Sequence, residues 1–304
     1  MDFHKTTFLL GILLLFSGSL LGQELIEKSF GQIEVLEMDI GGVDVAYVGI
    51  PGKEDISLSA MFGKTEDGAR NFFMVTVGTT LKLSYKTPSK PIPPLEKRFI
   101  RLEGPEQIRI VAKNSTGLLS IRNVTSAETR LSVNSGSIRS QQIRGDLVLR
   151  ANSGRIEVQQ VTGDVVCSVA SGEADLTDVT GRVTLTASSG SLKGKNLLGL
   201  VQVTLSSGNA RLDQLGELGS VTVSSGNVRI TKAELGPETQ FTGSSGNIDV
   251  STSSDLSNFN FQLVAGSGSL KVGNISNTKA LQIDNGAEVT IRGAMRSGSL
   301  RITN

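Results

Sequence analysis

The glycines Gly136, Gly154, Gly172, Gly190, Gly208 and Gly226 follow one another every 18 residues, each after a serine that is itself preceded by Asn, Ala or Ser. A fixed period of this kind restricts a chain more than composition does, because every repeat must adopt one local structure and bury it against its neighbours. The frames NSGSIRSQQIRGDLVLRA (134–151), NSGRIEVQQVTGDVVCSV (152–169), ASGEADLTDVTGRVTLTA (170–187) and SSGSLKGKNLLGLVQVTL (188–205) align column by column. The fifth column reads Ile138, Ile156, Ala174, Leu192, Ala210, Val228, and the sixteenth Leu149, Cys167, Leu185, Val203, Val221.

Apolar and polar residues alternate within each frame in two short runs, the period of a strand with one buried face. No run has helical spacing over the length a helix needs to offset its nucleation. Two strands per frame, in constant phase, predict an all-β parallel β-helix. Each strand pairs with its copy one coil away, about 4.8 Å along the axis, and the usual handedness of parallel crossovers makes it right-handed. One coil cannot bury enough surface to fold alone, so stability belongs to the stack. The Ser-Gly column is expected to form a corner at which glycine accepts positive φ and serine hydroxyls bond along the stack.

Residues 1–22 place Lys5 before an apolar run from Phe8 to Phe16 and small residues, the pattern of a secretory signal peptide, with cleavage expected after Gly22 or alternatively Ser19. Residues 23–94 are strand-rich but irregular, and are expected to form degenerate coils or a β cap, closing in the Pro-rich loop TPSKPIPP (87–94). Residues 95–304 form the repeat domain. Gly117 lies 19 residues before Gly136, and intervals of 20, 22 and 18 after Gly226 suggest that Gly246, Gly268 and Gly286 continue the corners in order. The final coil then stops, leaving a bare edge that invites self-association.

The repeat segments VTGDVVCSVASGEADL (161–176), VTGRVTLTASSGSL (179–192) and VTVSSGNVRI (221–230) resemble the bacterial "putative adhesin" β-strand-repeat family, a domain whose function is not established. The resemblance covers roughly 100–304, with a loose match before it, and implies an exported right-handed β-helix. It supplies no catalytic motif to carry over.

Charge is balanced, 30 Lys and Arg against 29 Asp and Glu, which argues against a nucleic-acid surface built on excess cations. A single cysteine, Cys167, excludes an internal disulfide and falls in an inward column, where a small buried hydrophobe is expected. The one histidine, His4, lies in the signal peptide, so the exported chain lacks the common zinc and acid–base constellations, and no cofactor is expected.

Parallel stacking sets like beside like, so outward columns can be read directly. One runs Arg139, Glu157, Asp175, Lys193, Arg211, Arg229, Asp249, and brings Glu157, Glu173 and Asp175 together beside Arg155. Another sets Asp146 next to Asp164 at a corner, a weak candidate for Ca²⁺. Stacked carboxylates repel unless a cation lies between them. Thr184, Thr186, Thr204 and Thr222, with Gln202 and Ser220, make an uncharged hydroxyl array. Three readings follow. The first is a non-enzymatic binding, adhesin-like or scaffold protein of the periplasm or cell surface, with an envelope protein or glycan as partner. The second is a polysaccharide lyase or hydrolase using Glu157, Glu173 and Asp175. The third is a structural protein associating end to end.

Overall fold

The computed structural model describes residues 25–62, 70–87 and 98–304. The expected signal peptide and residues 88–94 of the Pro-rich stretch lie outside these. The described residues are all-β, with one short 3-10 turn at Leu256–Asn258. In chain order the N-terminal strands are β1 (Leu25–Phe30), β2 (Val35–Ile40), β3 (Asp44–Ile50), β4 (Ile56–Phe62), β5 (Phe72–Val77), β6 (Thr80–Tyr85), β7 (Arg98–Pro105) and β8 (Arg109–Asn114). The regular part comprises β9 (Leu118–Val133), β10 (Ser137–Ala151), β11 (Arg155–Thr162), β12 (Val165–Val169), β13 (Glu173–Val179), β14 (Val183–Ala187), β15 (Ser191–Leu205), β16 (Asn209–Val223), β17 (Asn227–Gly243) and β18 (Asn247–Thr252). The chain ends in β19 (Asn260–Val272), β20 (Ile275–Asn277), β21 (Ala280–Ile283) and β22 (Thr290–Thr303).

The regular part stacks as its period dictates. β10 pairs in parallel with β11, Ile138 facing Ile156, and with β12, Leu149 facing Cys167. The same register continues through β13, β14, β15, β16 and β17. Ile138, Ser140, Ile143, Leu147, Leu149 and Ala151 point inward from one coil, and their counterparts fill one continuous core. The spacing from Ser140 to Ile143 is three residues rather than two because Gln142 has φ 56, a left-handed residue that turns the strand and resets its phase. The same conformation recurs at Gln160, Asp178, Asn196, Gln214 and Lys232, one per coil.

The glycine corner forms, but for a different reason from the one expected. None of the glycines from Gly136 to Gly226 in the Ser-Gly column has positive φ. Each faces the glycine of the coil before: a Cβ on Gly154 would lie under 3.0 Å from the Gly136 carbonyl oxygen, and one on Gly172 equally close to that of Gly154. Those carbonyls point along the axis to accept the next coil's N–H, as Gly136 does from Arg155 (3.1 Å) and Gly154 from Glu173 (3.1 Å). Close approach, not backbone freedom, excludes a side chain there. The serines likewise contribute backbone N–H groups, Ser153 to Asn134 (2.8 Å) and Ser171 to Asn152 (2.7 Å), instead of a hydroxyl ladder.

Both ends depart from sequence order. β2 lies between β6 and β8, and β3 between β7 and β9, so the coil 35–50 is inserted between those built from 80–105 and 109–122. At the other end β22 lies between β17 and β18 on one side and β19 on the other. Two expectations are corrected here. Gly298 stacks on Gly246, and Gly268 on Gly298, while a Cβ on Gly286 would meet nothing within 4 Å. The final coil is therefore not a bare edge but an interior layer. Antiparallel strands close the stack instead: at the N-terminal end β4 pairs with β7 and β5 with β6, β1 lying outside β4, and at the C-terminal end β20 and β21 pair with β19. Ordered burial needs two neighbours per coil, and local repeat spacing carries no record of which coil supplies them.

Candidate functional site

The acidic residues singled out from sequence lie on one sheet face, where parallel register sets Arg139 against Glu157, Glu157 against Asp175, and Asp175 against Lys193. The two-residue offset column brings Arg155 against Glu173. The side chains form a zipper across coils: Arg139 to Glu157 (2.9 Å), Arg155 to Glu173 (2.9 Å) and Lys193 to Glu173 (2.5 Å). The Lys193 hydrogen bond, followed by the charges of Lys193 and Arg155, lowers the Glu173 carboxyl below its usual range. For Glu157 and Glu173 the cation that stacked carboxylates demand is thus supplied by the protein's own side chains, while Asp175 is in no ion pair among the described residues.

Asp146 and Asp164 do adjoin, but each spends an oxygen on the following coil's backbone. Asp146 Oδ1 accepts from the Asp164 N–H (3.1 Å), and Asp164 Oδ1 from the Arg182 N–H (2.8 Å). These bonds close a second corner, where Gly163 packs on Gly145 and Gly181 on Gly163 as tightly as in the first. Among the described residues no group of three or more His, Cys, Asp or Glu side chains is placed to hold a metal ion.

The hydroxyl array lies on the other ladder of the stack. Thr186, Thr204 and Thr222 face one another in consecutive coils, and the column continues to Thr242. Thr184 faces Gln202, and on its other side Val166, which is 42% exposed, so the array adjoins an apolar residue. Cys167 is fully buried, as expected, and loss of solvation pushes its thiol up to about 12. It stays protonated and unreactive at neutral pH.

The sequence reading missed a further set. Asn209, Asn227, Asn247 and Ser299 stand in register on the face that carries the zipper, two residues from the column Arg211, Arg229, Asp249 and Arg301. The signal was half present, since Asn209 and Asn227 share a repeat column. Ser299 and Arg301 could not be found, because their coil joins this face out of sequence order.

No helix among the described residues is long and apolar enough to cross a membrane. The family described as Toastrack DUF4097 matches the chain over residues 60–212 and again over 146–303. Among solved structures, a Bacteroides fragilis protein named "putative adhesin" is 15% identical, with 92% of this chain and 98% of that one covered and a TM-score of 0.37. A Parabacteroides distasonis protein named "putative lipid binding protein" is 14% identical over 91% of this chain and 96% of its own, with a TM-score of 0.43. A second protein of that organism, named "putative adhesin", is 13% identical over 92% and 97%, with a TM-score of 0.35. No curated protein matches the chain.

Proposed function

The chain belongs to the Toastrack family, DUF4097, and on that premise we propose that it is an exported, non-enzymatic binding module of the cell envelope, built as a right-handed β-helix. Handedness follows from the preference of parallel crossovers for one sense, and export from the pattern of residues 1–22. One observation carries the functional reading. Outward side chains repeat in register from coil to coil on two long ladders, while two of the three carboxylates a lyase would need, Glu157 and Glu173, are held by Arg139, Arg155 and Lys193. Such a surface offers an extended partner the same contact many times, which raises avidity without one strong site.

The test is a solid-phase assay of the purified chain against bacterial envelope material separated into protein, glycan and lipid fractions. Saturable binding to one fraction, displaced by excess unlabelled chain, is the expected result; no saturable binding to any of them overturns the proposal. In the same samples acidic polysaccharides should keep their length, with or without Ca²⁺. Release of shorter chains, abolished by Glu157→Gln, would transfer the protein to the lyase class.

A further inference from the structure

The zipper face changes character beyond Lys193. On the earlier coils both signs are present: Arg139, Glu157, Arg155, Glu173 and Lys193 each lie near an opposite partner, and Asp175 stands in register between Glu157 and Lys193. From there Lys193, Arg211 and Arg229 succeed one another in register. Like charges facing across a ladder destabilise it. Asp249 is the one acid lining the cleft at this point and stands 3.9 Å from Arg229. Next in the column come Arg301 and Lys271. Among the described residues, Arg211, Arg301 and Lys271 form no ion pair within 4.0 Å.

Arg211, Arg229 and Arg301 flank a cleft of about 420 Å³ whose other wall is the asparagine column. There Asn227 Nδ2 donates to Asn209 Oδ1 (3.3 Å), Asn247 Nδ2 to Asn227 Oδ1 (2.9 Å), and Ser299 Oγ to Asn247 Oδ1 (2.8 Å). The chain of bonds fixes the amides while leaving each a second N–H and further lone pairs. One wall therefore presents guanidinium forks and the other neutral donors and acceptors, both repeating at the coil spacing of about 4.8 Å.

We propose that this cleft binds a linear acidic polysaccharide, its carboxylates on Arg211, Arg229 and Arg301 and its hydroxyls on the Asn209–Ser299 ladder. Guanidinium matches carboxylate in a two-bond fork, and a polymer reaches successive coils at once where a single sugar acid cannot. Nucleic acid fits less well: no aromatic ring lines the cleft to stack a base, and the whole chain carries a net charge of only +1. The assignment rests on the binding-module reading and names a site and ligand class for it.

Titration calorimetry of the purified chain with polygalacturonate tests it, with neutral dextran, monomeric galacturonate and single-stranded DNA as comparison arms. Polygalacturonate should bind and weaken as salt rises. Arg211→Gln with Arg229→Gln should weaken it by about tenfold or more, Asp249→Asn should tighten it, and Arg150→Gln on the other ladder should change nothing. Unchanged thermal melting of these exposed-site variants separates lost binding from lost fold. The proposal is overturned by absence of polygalacturonate binding at low salt, or by equal affinity in the Arg211→Gln, Arg229→Gln variant. It is equally overturned if DNA or the monomer binds as tightly. Should polygalacturonate fail while an envelope fraction is still bound, this site falls and the binding-module reading stands.

Discussion

A single atom decides the corner residue. In the Ser-Gly column the glycine carbonyl aims along the axis at the next coil, and a Cβ on the following glycine would occupy the space of that oxygen. Gly172→Ala is therefore expected to destabilise the protein by more than about 2 kcal/mol, at the upper end of point-mutant effects. Gln160→Gly, at φ 59, should leave the melting temperature unchanged or raise it. Thermal melts of the two variants check this, and equal losses in both would contradict the distinction between close approach and left-handed backbone. The sequence shows that both positions are special, since each recurs every 18 residues. It does not show which one is left-handed, because Gln, Asp, Asn and Lys alternate at the second. Glycine is the expected left-handed residue, and here it serves mainly for proximity.

Elements in the middle of the chain were legible, and elements at its ends were not. β10 to β17 lie where the columns place them, down to the pairing of Ile138 with Ile156. β22 reads in sequence as one more coil that stops, yet Leu300 and Ile302 are fully buried between β18 and β19. A terminal strand with both edges paired should not fray as chain ends commonly do. Hydrogen exchange should find the β22 amides about as protected as those around Leu185 and Val203. Exchange within seconds at Leu300 and Ile302 would mean that the inserted coil is not held.

At the scale of the molecule, both ends solve one problem in the same way. A parallel stack ends in open ladders, which other chains can extend. Here the coils 35–50 and 290–303 are each set one layer inward, and short antiparallel strands cover the outermost coil, β4 and β5 on β7 and β6 at one end and β20 and β21 on β19 at the other. Removing residues 290–304 would bare one edge of β18, which keeps its pairing with β17, and separate β19 from the stack. The truncated chain is expected to associate or aggregate at concentrations where the full chain shows one size by light scattering. A truncated form as monodisperse as the full chain would contradict the role given to the insertion.

The sequence by itself determined what is local and periodic: strands, inward columns, parallel register, and the gathering of Glu157, Glu173 and Asp175 on one face. Those follow from an alternation of two and a repeat of 18, which fix neighbours without reference to the rest of the chain. Tertiary structure alone decided the order of coils at the ends and the joining of Ser299 and Arg301 to the Asn209 and Arg211 columns. Each depends on which distant segment completes a ladder. Any coil with the right alternation can occupy that place, so the choice is made by burial of the whole stack and not by the residues of one repeat.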